Sequence, residues 1–336
     1  MVVNEINIRG KKMKSMKKIL GGVSIAVASA TMAPAAMADV NVAYFLEWAT
    51  PNQIAKVEKA YDKALGEKVN WVNFATGTAM TEAMLSGDID IAYSQGMTPF
   101  VNAVNANAPI KMVGIAVAYG SGGDCIVSNE SGISKANALE LEGKSIAVPL
   151  NTMSDYEMRL TLSNLGVDIN KVTLVDQEPA DAAVSLVDGA VAMSCGFGAN
   201  SLSKMKEVGK PMFTVPEKTE AGITSFDIVS VTEKFAQENP EAVRTFMEVT
   251  AQANADFAKD QSQIDVIAGD AGMSVEKTKE QMAGFSFPTV EQQMAEYFND
   301  GGKVGNVLPF MGKMFGTAAA PAKDDYSSTV DTSFLK

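Results

Sequence analysis

The side chains that most often carry out catalysis are scarce in this sequence. The chain has 336 residues, of which none is histidine and two are cysteine. Without histidine it cannot form Ser-His or Cys-His nucleophilic pairs, and it lacks the commonest general base and the usual nitrogen ligand of zinc. Two pairs of neighbouring carboxylates occur, Asp88 with Asp90 and Glu140 with Glu142. Neither lies in a recognisable catalytic motif, and such pairs are typical of a solvated surface. The sequence therefore predicts a protein that is not an enzyme and that needs no metal or cofactor.

The sequence also lacks the glycine-rich phosphate-binding motifs GxxxxGK[ST] and GxGxxG. The run of residues 120–123 (GSGG) has a similar composition, but no lysine follows it and a β-prone segment does. We interpret this run as a flexible crossing between two lobes. The formal net charge of −12 argues against nucleic acid or an anionic membrane surface as a partner. It does not exclude a small anionic ligand, because helix N-termini and backbone N–H groups bind anions locally.

The first 38 residues are predicted to be a secretory signal peptide. Lysines at positions 14, 17 and 18 precede an apolar run, residues 19–32, and Ala36-Met37-Ala38 provides a small-x-small cleavage pattern. A transmembrane anchor is the alternative, but the run is shorter than the ~20 apolar residues that a span needs. Residues 1–12 are interpreted as an upstream start-codon artefact. The mature chain would then begin at Asp39 and function in the periplasm.

A weak internal repeat indicates the fold. Residues 84–96 (MLSGDIDIAYSQG) align without a gap with residues 186–198 (LVDGAVAMSCGFG), at an offset of 102 residues. In each copy an alanine-rich helix pattern ends at a glycine, which suits a left-handed helix cap, and a β-prone segment follows. Residues 68–74 and 171–177 extend the similarity upstream, so the pattern predicts a β-α-β unit that occurs twice. Ligands bind beyond the carboxyl ends of strands in open α/β sheets, so two facing strand tips predict a clamp.

The predicted fold class is α/β, with two β-α-β lobes joined by two crossing strands. Residues 39–121 and 232–336 are assigned to lobe one, and residues 122–231 to lobe two. An amphipathic helix is predicted over residues 51–65. The helical segments after residue 232 are expected to return to lobe one and cover it.

Several segments resemble a known family: VAYFLEWATPNQIAKVE, FATGTAMTEAMLSGDIDIAYSQGMTPFVNAV, LEGKSIAVPLNTMSDYEMRLTL, PADAAVSLVDGAVAMS, ITSFDIVSVTEKFAQENPEAVRTF, FPTVEQQMAE and DDYSSTVDTSF. Together they resemble the periplasmic solute-binding proteins of taurine and alkanesulfonate ABC importers, and most nearly the taurine branch. The resemblance covers essentially the whole mature chain. It implies a bilobed type II periplasmic binding protein fold that closes on a ligand and delivers it to a membrane permease driven by a separate ATPase. The protein itself is expected to be monomeric.

The resemblance also implies which residues contact the ligand between the lobes. They are Glu47, Trp48, Gly77, Thr78, Gln95, Gly96, Thr98, Thr152, Phe197 and Asp227. The partial positive charge of a helix N-terminus at Thr76-Gly77-Thr78 would suit a sulfonate, although an ordinary helix cap is the alternative. Asp227 would accept from an ammonium group, and its alternative is a strand-end aspartate satisfied by neighbouring backbone. Trp48 could instead be a packing residue.

The chain departs from the family at the second repeat tip. Where the taurine branch has an aromatic residue followed by Ala-Pro, this chain has Cys195-Gly196-Phe197-Gly198. Phe197 is expected to supply the aromatic wall from two positions later. The ligand implied is taurine or a closely related small organosulfonate, with an amine-free alkanesulfonate or a thiamine-precursor pyrimidine as the alternatives. Thiamine-pyrimidine synthases resemble these lobes, but they need histidine and a cysteine-rich iron-binding stretch, and this chain has neither.

The two cysteines, Cys125 and Cys195, are predicted to form a disulfide. The periplasm is oxidising, and the chain contains no other cysteine. The alternative is a pair of buried thiols that behave as small apolar side chains.

Overall fold

The structure is a computed structural model, which describes residues 39–120, 122–223 and 225–335, and of Ser225 the backbone alone. The predicted signal peptide, residues 1–38, lies outside the described residues. The strands are β1 Val40–Phe45, β2 Val69–Phe74, β3 Ile91–Gly96, β4 Ile110–Tyr119, β5 Gly123–Ser128, β6 Ser145–Val148, β7 Thr173–Asp176, β8 Met193–Phe197, β9 Gly209–Pro211, β10 Ser225–Thr232 and β11 Phe285–Ser286.

The helices are α1 Asn52–Val57, α2 Ala60–Leu65, α3 Gly77–Ser86, α4 Met97–Asn105, α5 Met153–Asn164, α6 Pro179–Val187, α7 Ala199–Val208, α8 Val215–Glu220, α9 Glu233–Glu238, α10 Pro240–Lys259, α11 Ile264–Ala271, α12 Val275–Ala283, α13 Val290–Gln292 and α14 Lys303–Phe315. The helix predicted over residues 51–65 is interrupted, because Lys59 adopts a left-handed conformation (φ 54°) between α1 and α2. No helix in the described part of the chain combines the length and the apolar character needed to cross a membrane.

The two sheets repeat one arrangement. The first has the strand order β11-β4-β10-β3-β1-β2 and the second has β7-β6-β8-β5-β9. Strand β1 pairs in parallel with β2 and β3, and β6 pairs in parallel with β7 and β8. An antiparallel strand follows in each sheet, β10 beside β3 and β5 beside β8. The units β2-α3-β3 and β7-α6-β8 are the predicted repeat, and the two-lobed α/β fold is confirmed.

The chain crosses between the sheets twice. It leaves the first sheet at the end of β4 and enters the second at β5, and it returns after α8 to form β10. Strand β10 pairs with β3 and β4, so residues 225–231 belong to the first sheet and not to lobe two, where the sequence prediction placed them. An apolar strand pattern does not specify which sheet completes its hydrogen bonds, and tertiary pairing decided this boundary.

Glycines end the helices of both repeats as the sequence predicts. Gly87 caps α3 with φ 87°, and Gly189 follows α6 with φ 70°. A residue without Cβ adopts this left-handed conformation with little strain. Each glycine therefore turns the chain from its helix into the strand that leads to the cleft.

Both faces of each sheet are covered by buried side chains. In the first sheet Phe100 belongs to the cluster on one face and Phe246 to the cluster on the other. In the second sheet Leu162 and Leu186 belong to two separate clusters in the same way. Strands buried on both faces are rich in apolar residues throughout, and every residue of β3 is buried. The two sheets thus form rigid frames that hold the loops at their edges.

The C-terminal segment docks on lobe one. Asp331 N–H donates to the carbonyl of Met112 on β4 at 2.8 Å. The hydroxyl of Tyr326 donates to the side-chain oxygen of Asn105 at 2.6 Å, and Phe334 is buried. The last described residues therefore stabilise lobe one, which also contains the first described strand, β1.

Candidate functional site

A cleft lies between the two lobes at the loops that follow the strands. The volume that the centres of enclosed water molecules can occupy is about 50 Å³. One water needs ~10–15 Å³ on this measure, so the cleft suits several waters or one small molecule. Six of the predicted ligand residues line it: Trp48, Gly77, Gly96, Thr152, Phe197 and Asp227.

Three helices begin at this cleft. Gly77 is the first residue of α3, Gly96 precedes α4, and Thr152 precedes α5. The side chains of Thr76 and Thr152 accept hydrogen bonds from the backbone of their own helices. Both threonines are therefore ordinary helix N-caps, and this role is compatible with a ligand at the same helix starts. Helix N-termini present partial positive charge, equivalent to about half an elementary charge each. No lysine or arginine is among the described residues that line the cleft, so the helix starts supply positive potential at its lining.

Asp227 lies on β10 at the wall that lobe one contributes, and only 3% of the residue is exposed. Its Oδ1 accepts from the hydroxyl of Tyr119 at 2.8 Å, and its Oδ2 accepts from the hydroxyl of Ser94 at 2.9 Å. Ser94 Oγ accepts in turn from Nε1–H of Trp48 at 2.9 Å. Burial raises the pKa of Asp227 to about 7, against the lowering effect of these two hydrogen bonds. Because the donors are neutral, the ionised carboxylate keeps a charge that a cationic group could balance.

Trp48 lines the cleft and also packs against other aromatic side chains. The residue is 4% exposed, and its ring centroid lies 4.7 Å from that of Phe285, 5.3 Å from Tyr119 and 6.3 Å from Phe197. A Cβ on Gly122 would lie 2.6 Å from Cη2 of Trp48. The glycine run at the crossing therefore leaves room for this indole ring.

A second carboxyl group, that of Glu157 on α5, lines the cleft from lobe two, and its side chain is 12% exposed. Nζ of Lys218 lies 2.6 Å from Oε1 of Glu157 and 2.6 Å from Oδ1 of Asp124, and it donates to the carbonyl of Gly123 at 2.6 Å. Lys206 lies 3.1 Å from the other oxygen of Asp124. Burial raises the pKa of Glu157, and the charge of Lys218 opposes that rise. Two acids and two lysines balance in charge, so lobe two compensates the charge of this carboxylate without a ligand.

Glu47 does not line the cleft and instead joins the two lobes. Its Oε2 accepts from the backbone N–H of Asn200, at the start of α7, at 2.9 Å. Its backbone is fixed in lobe one, because its carbonyl accepts from Nε2 of Gln281 at 2.9 Å and its N–H donates to Ala271 at 2.8 Å. Lys277 donates to Oδ1 of Asn200 at 3.0 Å. These contacts place Glu47 at the rim, where it caps a helix of the opposite lobe.

Three further predicted residues lie near the cleft but make other contacts. The hydroxyl of Thr78 donates to the carbonyl of Asn151 across the lobes at 3.3 Å. The hydroxyl of Thr98 donates to the sulfur of Met153 at 3.4 Å. Gln95 is fully buried, and its Nε2 donates to Thr81 Oγ1 at 2.6 Å. The structure therefore brings six of the ten predicted residues to the cleft and uses these three in contacts around it.

The cleft also contains residues that the sequence prediction did not name as ligand contacts. They are Phe45, Pro99, Tyr119, Gly120, Gly122, Gly123, Met153, Ser154, Tyr156, Glu157 and Ile223. Ser154 and Glu157 lie three residues apart on α5, so helical periodicity places them on one face of that helix. Tyr119 lies 108 positions before Asp227, and no local pattern joins them.

Cys125 and Cys195 are register partners on β5 and β8, and a disulfide joins them. Both are buried in the core of lobe two. Gly123 and Phe197, which pair two positions further along the same strands, line the cleft. The bond therefore holds together the two strands that carry this wall.

The fold and the cleft between its lobes are similar to those of two-lobed solute-binding proteins. The chain belongs to the NMT1/THI5 like family, whose model matches residues 52–264. It is 27% identical over 310 residues to the taurine-binding periplasmic protein of Escherichia coli (strain K12), covering 89% of this chain and 93% of that protein. The predicted resemblance to this group of proteins is confirmed, and these relatives support a binding protein rather than an enzyme.

Two solved structures share the fold. The alkanesulfonate-binding protein SsuA from Xanthomonas axonopodis pv. citri, bound to MOPS, superposes with a TM-score of 0.70 at 17% identity and covers 88% of this chain and 98% of its own. The periplasmic aliphatic sulphonate binding protein SsuA from Escherichia coli gives a TM-score of 0.64 at 18% identity, with 82% and 91% covered. Both confirm the periplasmic binding protein fold.

Proposed function

We propose that this chain is the periplasmic solute-binding component of an ABC importer and that it binds taurine, or a closely related small organosulfonate, between its lobes. A permease with a separate ATPase would receive the ligand. The observation that carries this proposal is the buried carboxylate of Asp227, which has neutral donors and lies in a cleft where three helices begin. Such a site suits a zwitterion, because the carboxylate balances an ammonium group and the helix starts stabilise a sulfonate.

The relatives support the ligand class. The E. coli protein is named for taurine, and the two solved structures are named for sulfonates. An amine-free sulfonate would leave Asp227 without a cation. A pyrimidine would need a free aromatic face, whereas Trp48 is 4% exposed and packs against Tyr119 and Phe285. Taurine therefore matches the site better than either alternative.

Titration calorimetry with taurine, together with small-angle scattering, tests the proposal. We expect heat of binding and a decrease in the radius of gyration as the lobes close. A thermal-shift screen over sulfonates, amino acids and pyrimidines extends the test, since a ligand at a hundredfold excess over its Kd adds about 2.7 kcal/mol to stability. No response to taurine beside a clear response to a pyrimidine or an amino acid would overturn the ligand. Binding without compaction would overturn only the closure.

A further inference from the structure

The hydroxyl groups around the cleft differ in whether their hydrogen atoms are already used. Thr152 donates to the carbonyl of Pro149 at 2.6 Å, and Thr78 donates to Asn151. Ser94 and Tyr119 both donate to Asp227. A hydroxyl group has a single hydrogen to donate, so these side chains have none left to donate to a ligand.

Ser154 is different. It lines the cleft and is 3% exposed, and its Oγ is buried without a hydrogen-bond partner among the described residues. An unpartnered buried hydroxyl costs free energy, about 1–3 kcal/mol in protein variants. A ligand that accepts a hydrogen bond from Ser154 would remove this cost.

The position of Ser154 indicates what kind of group it would bind. It is the second residue of α5, a helix of 12 residues, and its backbone N–H donates to the capping oxygen of Thr152 at 3.2 Å. The partial positive charge of this helix start and the free hydroxyl favour an anion at the same point. The nearby carboxylate of Glu157 does not oppose this, because Lys218 lies 2.6 Å from it.

We propose that Ser154 is the anion-binding side chain of lobe two and that it donates to a sulfonate oxygen of the ligand. This inference rests on the proposed function and adds that each lobe binds one end of the ligand. Asp227 of lobe one would hold the ammonium end, and Ser154 of lobe two would hold the sulfonate end. A zwitterion that spans both residues links the lobes, so both of its charges contribute to closure.

The test compares Ser154→Ala with the parent chain by titration calorimetry, using taurine and ethanesulfonate. Both ligands carry the sulfonate and only taurine carries the amine. We expect Ser154→Ala to weaken both by a similar factor, roughly tenfold to a hundredfold, as for the loss of a hydrogen bond to a charged group. Ser194→Ala is the matched control, because Ser194 Oγ is also buried without a described partner but lies outside the cleft. Its affinities should stay within about threefold of the parent.

Affinities of folded Ser154→Ala within about threefold of the parent for both ligands would overturn the inference and leave the proposed function intact. A loss confined to taurine would also overturn it, because the hydroxyl would then serve the amine end. If the parent binds neither ligand, the proposed function fails and this inference fails with it. Should the variant not fold, a crystal structure of the parent with ethanesulfonate decides. A sulfonate oxygen about 2.7 Å from Ser154 Oγ supports the inference, and a sulfonate bound elsewhere contradicts it.

Discussion

Two carboxyl groups that are largely shielded from solvent face the same cleft, and they differ in whether a cation lies beside them. Asp227 in lobe one accepts hydrogen bonds from the neutral hydroxyls of Tyr119 and Ser94. Glu157 in lobe two lies 2.6 Å from the ammonium group of Lys218. Burial raises the pKa of both acids, so burial alone does not distinguish them. The nearest partner distinguishes them, because a neutral partner leaves the negative charge of the carboxylate uncompensated, whereas a lysine compensates it.

The two acids differ in what they contribute: Asp227 to recognition of the ligand and Glu157 to the stability of the fold. The carboxylate without a cation is costly to bury in the ligand-free protein, and a ligand that supplies a cation removes that cost. The carboxylate that has a lysine needs no ligand, and it ties Lys218 of α8 to Gly123, where the chain enters lobe two. We therefore expect substitutions at the first acid to change ligand affinity and substitutions around the second to change the stability of the fold.

The largest effect is expected from Lys218→Met. This variant leaves the carboxylates of Glu157 and Asp124, which are 12% and 13% exposed, without their shared lysine, and Lys206 beside Asp124 is 47% exposed. Breaking a buried ion pair in this way costs about 3–5 kcal/mol. Urea unfolding followed by tryptophan fluorescence measures the loss. The double variant Lys218→Met with Glu157→Gln should recover part of it, because a neutral amide needs no counter-charge. Parent-like stability in the single variant would contradict the assignment of a structural role to this pair.

Asp227→Ala should weaken taurine binding by about a hundredfold or more, since it removes one partner of a buried charge pair. Ethanesulfonate, which has no amine, should lose far less. No cation pairs with Asp227 in the described structure, so the ligand-free variant should not show the destabilisation of Lys218→Met. Calorimetry with both ligands and urea unfolding make the comparison. Taurine affinity within about threefold of the parent in a folded variant would assign the ammonium to another residue, and Glu47 would be tested next.

Taurine affinity should depend on pH through Asp227. The pKa of its carboxyl group in the ligand-free protein is about 7. Below that value the group must release a proton before it binds an ammonium, so affinity should fall by about tenfold per pH unit. Above it the carboxylate is already ionised, and the affinity should level off. Calorimetry at about pH 5.5, 6.5 and 7.5 measures the slope.

Two controls isolate this titration. Asp227→Asn has no proton to release, so its weak taurine binding should not vary with pH over this range. Ethanesulfonate binding to the parent should lack the slope as well, because it does not involve the ammonium. If both ligands showed the same pH dependence, the titrating group would lie elsewhere, with Glu157 the first candidate.

The smallest effect is expected from Glu47→Ala. The side chain caps α7 of the opposite lobe, and the loss of such a cap costs about 1 kcal/mol, which is about fivefold in affinity. If Glu47 acts on closure through this cap, taurine and ethanesulfonate should weaken equally, mainly through faster dissociation. Stopped-flow kinetics measure this. A loss specific to taurine would place Glu47 at the amine.

Several features of the protein follow from local sequence. The repeat at residues 84–96 and 186–198 predicted two β-α-β units, because alternating residues and a terminal glycine specify a strand and a helix cap wherever they occur. The family resemblance pointed to the helix starts at Gly77 and Thr152, and both line the cleft. The absence of histidine excluded Ser-His and Cys-His nucleophilic pairs and the commonest general base from composition alone.

Other features depended on pairing between distant segments. Strand β10 was assigned to the wrong lobe, because an apolar strand does not encode which sheet will complete its hydrogen bonds. Tyr119 meets Asp227 across 108 residues, and Lys218 meets Asp124 across 94. Glu47, which was predicted to contact the ligand, accepts a hydrogen bond from Asn200, 153 residues away.

Local patterns therefore determined the elements and the residue types available to the site. Tertiary structure alone decided which acid keeps a charge for the ligand, since the charge state of a buried group depends on neighbours that only folding brings within hydrogen-bond distance.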